Sequence, residues 1–90
     1  MIIRDSNRKE KRFVAIFPDN SKVHFGLDGG RTYIDHGDKE TRWNYIARHK
    51  VREHWNNPKS AGALSRWILW GPNEDINKNI EYFNNKFNIK

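Results

Sequence analysis

The residues best suited to chemistry lie between positions 41 and 52, where basic and aromatic side chains occur together and no acid is present. The basic members are Arg42, Arg48, Lys50 and Arg52. A local excess of Lys and Arg favours phosphate binding, because each neutralised backbone charge releases condensed counterions. On a helical wheel Tyr45 and His49 lie among the arginines, where an aromatic ring can stack on an unpaired base. The pattern predicts a basic aromatic helix face that binds DNA or RNA, with Lys22 and Arg31 extending the line of phosphate contacts.

Other interpretations of this stretch remain open. Glu40 and Glu53 flank it and offset part of its charge, which is typical of a solvated helix surface. Tyr45 becomes a core residue if the helix is covered on two sides. The positive charge also suits an acidic protein partner, because electrostatic complementarity matches sign and does not identify the polymer. The competing prediction is therefore a non-enzymatic structural or protein-interaction component.

The four histidines raise the question of a metal site, since neutral imidazole is a common metal ligand. His49 and His54 are five positions apart, which on a helix separates their directions by about 140°, whereas helical ligand pairs lie three or four positions apart. His24, His36 and Asp38 can approach one another from a sheet and a strand end, which gives a metal-dependent nuclease as a third hypothesis. No ligand motif accompanies them. The sequence therefore predicts no metal, no cofactor and no catalysis.

Length and composition favour one small basic domain. The chain has 90 residues, a formal net charge of +6 and 36% hydrophobic residues, with four Trp, three Tyr and five Phe to anchor a core. Cysteine is absent, which excludes disulfides, thiolate metal sites and a cysteine nucleophile. No apolar run approaches the roughly 18 residues of a membrane span, so no membrane partner is expected. We expect a flexible basic N-terminal arm over residues 1–10 and a single compact α+β domain over residues 11–90.

The segment between about residues 11 and 35 predicts a three-stranded antiparallel meander. Pro18–Ser21 and Asp28–Gly30 have the residue types of turns. The segments around them are rich in β-branched and aromatic residues. Alternation places Lys22 and His24 together on one face of the second strand. The predicted strands are residues 13–17, 22–25 and 31–35.

Two or three helices are expected to pack on one face of this sheet. The first is predicted to run from about residue 40 to 55, with Asp38 or Thr41 as its N-cap. Apolar spacing predicts a core stripe made of Trp43, Ala47, Val51 and His54. The opposite, outward side then consists of Arg42, Tyr45, Arg48, His49 and Arg52.

The other two helices follow Pro58 and Pro72. Ser60 predicts the start of a short helix whose inward residues are Leu64, Trp67 and Ile68. Asn73 predicts the cap of the last helix, whose apolar stripe is Ile76, Ile80, Phe83 and Phe87. If the core cannot cover that stripe, it forms a homodimer surface. Arg66 is expected to pair with Asp35 or Asp38, or to bind phosphate.

Four strings carry a family resemblance when they are taken in order. They are residues 23–26 (VHFG), 33–36 (YIDH), 45–50 (YIARHK) and 61–70 (AGALSRWILW). Over about residues 11–72 the chain resembles a family of small uncharacterised proteins of large DNA viruses, phycodnavirus-like and mimivirus-like. The resemblance implies a small viral accessory protein, either a genome-handling factor or a virion structural component. It implies a location inside an infected host cell or in the particle, and it supplies no catalytic residues.

Overall fold

The computed structural model describes residues 1–53 and 55–89, which form the predicted α+β fold. A three-stranded antiparallel sheet comes first in the chain, and the helices follow it. The strands, in their order across the sheet, are β1 (Ile2–Asp5), β2 (Lys11–Ile16) and β3 (Lys22–Leu27). The helices are α1 (Tyr33–His36), α2 (Lys39–His49), α3 (Ala61–Leu64) and α4 (Ile76–Lys86). A π-helical segment, Ser65–Leu69, continues α3. Within the described ranges, no helix is both long and apolar enough to cross a membrane.

The strand register sorts the side chains of the sheet onto two faces. Phe13 of β2 lies opposite Phe25 of β3, and both contribute to the inner, helix-covered face with Ala15 and Val23. Because successive strand residues point to opposite faces, the neighbouring positions face outward. Arg4, Val14 and His24 are cross-strand partners on this outer face. The other outward residues of the three strands include Ile2, Ile16 and Lys22.

Residues 1–10 do not form the predicted arm. Ile2–Asp5 are paired along β2, and the following turn is closed by a hydrogen bond from the Ser6 amide to the Arg12 carbonyl, 3.0 Å. The predicted arm is therefore the first strand of the sheet. Ile2 and Ile3 are too few apolar residues to show strand alternation, and β1 is specified by the free edge of β2.

The predicted third strand, residues 31–35, is also wrong, because this segment contains α1. The Asp35 carboxylate accepts hydrogen bonds from the Thr32 amide at 2.8 Å and the Thr32 hydroxyl at 3.0 Å. Gly37 ends the helix with φ of 64°, a left-handed conformation that glycine adopts without steric cost. A capping residue and a terminating glycine around Tyr33 and Ile34 thus override their strand propensity.

The helix predicted over residues 40–55 is present as α2 but ends at His49, and its predicted core stripe is exposed. Asp38 caps it as predicted, accepting hydrogen bonds from the amides of Glu40 and Thr41. Tyr45 is buried, whereas Trp43 is 64% exposed and Val51 is 82% exposed. The remaining exposed member of the predicted stripe is Ala47, and His54 lies outside the described residues.

The C-terminal half agrees closely with the prediction. Ser60 caps α3 by accepting a hydrogen bond from the Ala63 amide, 3.1 Å. The predicted inward residues are buried or half-buried, namely Leu64, Trp67, Ile68, Ile76, Ile80, Phe83 and Phe87. The cap of α4 is Asp75 rather than Asn73. Asn73 instead pairs with the wholly buried Asn79, whose amide also donates to the Ile68 carbonyl at 2.9 Å. Asn79 thus joins α4 to the π-helical segment.

Candidate nucleic-acid interface

Only part of the predicted basic aromatic face of α2 is exposed, and Tyr45 lies on the buried side of the helix. Its ring stacks on that of Trp70 with centroids 4.3 Å apart and planes 5° apart. Burial, followed by the negative charge of Glu53, raises the pKa of the Tyr45 phenol to about 12. Tyr45 therefore cannot serve as the predicted stacking platform, because its ring is already occupied within the core.

Arg42 is also used in packing. Its Nε donates hydrogen bonds to the carbonyls of Trp70 at 3.1 Å and Gly71 at 2.9 Å, and its guanidinium lies 5.5 Å from the ring centroid of Tyr33. These carbonyls follow the π-helical segment, where the chain leaves helical geometry and backbone acceptors need other partners. The predicted phosphate contact at Arg42 is thus a bond between α2 and the end of that segment.

The remaining predicted residues are accessible. The exposed ones are Lys22, Arg31, Arg48, Lys50 and Arg52. His49 is half-buried, with its ring stacked on Tyr45 at a centroid distance of 4.2 Å. Arg48, His49, Val51 and Arg52 line a depression of about 340 Å³, which we call the helix end. Lys50 and Arg31 lie outside this lining.

A second basic surface occupies the outer face of the sheet, and it was not predicted as a unit. Arg4, Arg8, Lys22 and His24 are among the residues that line a depression of about 440 Å³. We call these four residues the sheet surface. Alternation along β3 places Lys22 and His24 on one face, whereas Arg4 reaches the same face, across β2, only through the pairing of β1, which local sequence does not reveal.

Hydrogen bonding and charge both act on His24. The Ser6 hydroxyl lies 2.6 Å from its Nδ1, and the same hydroxyl accepts a hydrogen bond from the Arg8 amide at 3.0 Å. Removal from water, together with the charges of Arg8, Lys22 and Lys11, lowers the pKa of the imidazole below its ordinary value of 6.5. The sheet surface thus has a positive potential that a neighbouring phosphate would relieve.

The turn between β1 and β2 extends this charge. Arg8, Lys9, Lys11 and Arg12 contribute to the wall of a depression of about 640 Å³ around the turn. Arg12 is engaged there, because its guanidinium forms two hydrogen bonds of 2.7 Å with the Asp35 carboxylate. That contact holds the pKa of Asp35 well below its usual range. The other three cations of the turn are exposed.

The depressions are linked through shared lining residues. Arg8 borders both the sheet-surface depression and the turn depression. Lys11 borders the turn and a cleft of about 360 Å³, and His49 borders that cleft and the helix end. We call the whole path the basic track. Its exposed cations are Arg4, Arg8, Lys9, Lys11, Lys22, Arg48 and Arg52.

Carboxylates also border the basic track. They are Asp5, Glu10, Asp28 and Glu53. Glu53 is already used, because one oxygen lies 3.2 Å from His49 Nδ1 and the other accepts a hydrogen bond from Trp55 Nε1 at 2.8 Å. Cations therefore outnumber the acids along the path, although the acids interrupt it near the turn and the cleft.

Among the described residues, Arg66 does not form the predicted ion pair with Asp35 or Asp38. It is buried, its Nη1 donates to the Trp70 carbonyl at 3.0 Å, and its guanidinium lies 4.1 Å from the ring centroid of Trp67. Burial, followed by the charge of Arg42, lowers the pKa of this guanidinium. From its buried position, Arg66 thus satisfies a backbone carbonyl that directly follows the π-helical segment.

The ligand set of the nuclease hypothesis is not assembled. His24 lies on the outer face of the sheet, whereas His36 lies in α1, with its ring 5.6 Å from that of Trp70. His36 Nδ1 accepts a hydrogen bond from the backbone amide of Asp38, so the lone pair of this nitrogen is already used. Across residues 1–53 and 55–89, no group of three or more His, Asp or Glu side chains is placed to hold a metal ion.

Comparison with known protein families finds a match for the first part of the chain. Residues 1–49 match the model of a family of unknown function, DUF5754. The matched segment comprises the whole sheet, α1 and α2, so it includes the sheet surface and reaches His49. No curated protein and no solved structure matches the chain.

Proposed function

Because the chain belongs to DUF5754, a family of unknown function, we propose its function from the geometry of the basic track: it binds nucleic acid without catalysis, mainly through the phosphate backbone. The observation that carries this proposal is the series of connected depressions lined by exposed Lys and Arg, running from Arg4 to Arg52. A polyanion of regularly spaced phosphates can follow such a path, whereas a single small anion needs only one pocket.

The chemistry of the track favours backbone contacts over sequence reading. Its cations are spread over a sheet face, a turn and a helix end. Neutralising several phosphates gives affinity that falls steeply with salt and depends little on base sequence. The net charge of +6 favours the approach of either DNA or RNA.

The setting that we propose for this binding is genome handling in an infected cell. The support is the resemblance of four strings in the chain to small proteins of large DNA viruses. In that setting a small protein of low sequence specificity can coat or escort viral nucleic acid, and it can enter the particle with it.

A second candidate function, protein interaction, has its own support. Trp43 and Ala47 of α2, with Val51 two positions after its end, form an exposed apolar stripe, and Trp43 and Val51 are among the most exposed large hydrophobic residues described. An exposed apolar stripe of this kind often marks a contact with another protein chain. A homodimer or a virion component would use this stripe, which leaves the sheet surface free for nucleic acid or an acidic partner.

The primary proposal can be tested by fluorescence anisotropy with labelled duplex DNA and RNA over a range of salt concentrations. We expect log Kd to rise linearly with log salt, with a slope of several units. Arg4→Glu combined with Arg8→Glu should abolish most binding, whereas Lys78→Glu, an exposed cation on α4, should have a much smaller effect. Absence of binding at low salt would contradict the proposal and leave the protein-interaction function.

A further inference from the structure

A row of stacked rings leads from the core to the basic track. Trp70 and Tyr45 are buried and nearly parallel, and His49 continues the stack at 4.2 Å with an interplanar angle of 28°. His49 is the outer member, since 34% of its side chain is exposed and it borders both the cleft and the helix end. The row therefore presents an imidazole to solvent that is supported from behind by two rings.

The orientation of this imidazole is fixed by polar contacts at its edge. Its Nδ1 lies 3.2 Å from Glu53 Oε1, and Glu53 Oε2 is held by the indole Nε1 of Trp55. A ring held in this way loses little conformational entropy when a ligand stacks on it, which favours binding. These contacts use the edge of the imidazole, and Tyr45 covers one of its faces, so a ligand would have to stack on the other face.

The surroundings of His49 match the parts of a nucleotide. The helix-end depression has a volume of about 340 Å³, and it is bordered by His49 and Val51 together with two basic residues, Arg48 and Arg52. A base is a flat, largely apolar ring, and the phosphates on either side of it carry the negative charge. The depression thus offers a platform for the base and cations for its neighbours.

We propose that His49 stacks on an unpaired base, so that the basic track prefers single-stranded nucleic acid to a duplex. This inference rests on the proposed function and specifies that the preferred ligand is single-stranded. In a duplex each base is covered on both faces by its neighbours, so the imidazole can reach only a base that has left the stack. The stacking role predicted for Tyr45 therefore belongs to the next ring outward.

The test compares two labelled single strands with the same number of phosphates, oligothymidine and its abasic analogue. Stacking of one base should make the protein bind oligothymidine about tenfold more tightly than the abasic strand. His49→Ala should remove this preference and leave the abasic affinity unchanged, whereas His49→Phe should keep it because the ring remains. Trp43→Ala is the matched control, since Trp43 is an exposed ring on the other side of α2, and it should keep the preference.

The outcomes separate the inference from the function on which it rests. Equal affinity of the wild-type protein for both strands overturns the stacking role and leaves the basic track in place. An equal loss for both strands in His49→Ala also overturns it, because the residue then acts through charge or folding; far-UV circular dichroism of each variant identifies unfolding. A preference that is lost in Trp43→Ala and kept in His49→Ala also overturns the inference, because the stacking platform is then Trp43. Failure to bind either strand at low salt overturns the proposed function itself.

Discussion

The sheet surface and the helix end carry similar charges but are connected to the rest of the molecule in different ways. On the sheet surface, Arg4 and Lys22 project from paired strands, and the core lies on the opposite face of the sheet. At the helix end, His49 is the outer ring of a stack whose inner members, Tyr45 and Trp70, are core residues. The first region can change its charges with little effect on folding. The second combines charge with a supported aromatic ring, so its binding and its stability are coupled.

The largest expected effect is on stability, at the inner end of this stack. Tyr45→Ala removes a ring packed between Trp70 and His49, and we expect the free energy of unfolding to fall by about 3–5 kcal/mol. Trp43→Ala, two positions earlier on the same helix, should change it by less than about 0.5 kcal/mol, because its ring is exposed. Urea unfolding followed by circular dichroism measures both. A larger loss for Trp43→Ala would mean that α2 packs through the opposite side.

The next effect is on binding, and it distinguishes the two basic regions. Arg4→Ala with Lys22→Ala, and separately Arg48→Ala with Arg52→Ala, should each reduce the salt slope for duplex DNA by about two, from two lost phosphate contacts. Only the helix-end pair should also weaken the preference for oligothymidine over the abasic strand, because Arg48 and Arg52 border the depression in which we propose that the base stacks. Anisotropy titrations over salt supply both quantities. Identical behaviour of the two pairs would show that the regions are not specialised.

The parts of the fold that were predictable from the sequence are those specified by neighbouring residues. The apolar stripe of α4 repeats at helical spacing through Phe83, and the caps Asp38 and Ser60 precede their helices directly. Such signals act within a few residues, so they need no knowledge of the rest of the chain. The α+β class followed from them, together with the strand composition of β2 and β3.

The errors concern contacts between distant segments. β1 forms because Ile2–Asp5 pair with the edge of β2, and no local periodicity in these residues predicts a strand. A helical wheel of α2 shows two sides that could be buried. The side that is buried carries Tyr45, because Trp70, 25 positions further along the chain, stacks on it. Predicting the candidate site therefore gave the cations of the helix end correctly as exposed residues. It placed the buried Tyr45 among the exposed residues and did not group the sheet surface as a unit.

The smallest expected effect is a pH dependence that belongs to the sheet surface. Burial and the charges of Arg8, Lys22 and Lys11 lower the pKa of His24 in the folded protein, so the unfolded chain takes up this proton first and stability falls as the pH drops below 6.5. A bound phosphate has the opposite effect on the imidazole, because it stabilises the protonated form. Binding is then linked to proton uptake, and affinity should increase on acidification.

We therefore expect duplex affinity to rise between about pH 7 and pH 5.5, by less than about tenfold per pH unit, the limit for one coupled proton. His24→Gln keeps a polar group of similar length next to Ser6 and cannot titrate, so it should reduce the rise. The measurement is anisotropy at constant ionic strength, with circular dichroism at each pH to confirm folding. An equal rise in the wild-type protein and in His24→Gln would place the coupled proton on another group and would contradict a phosphate contact at His24.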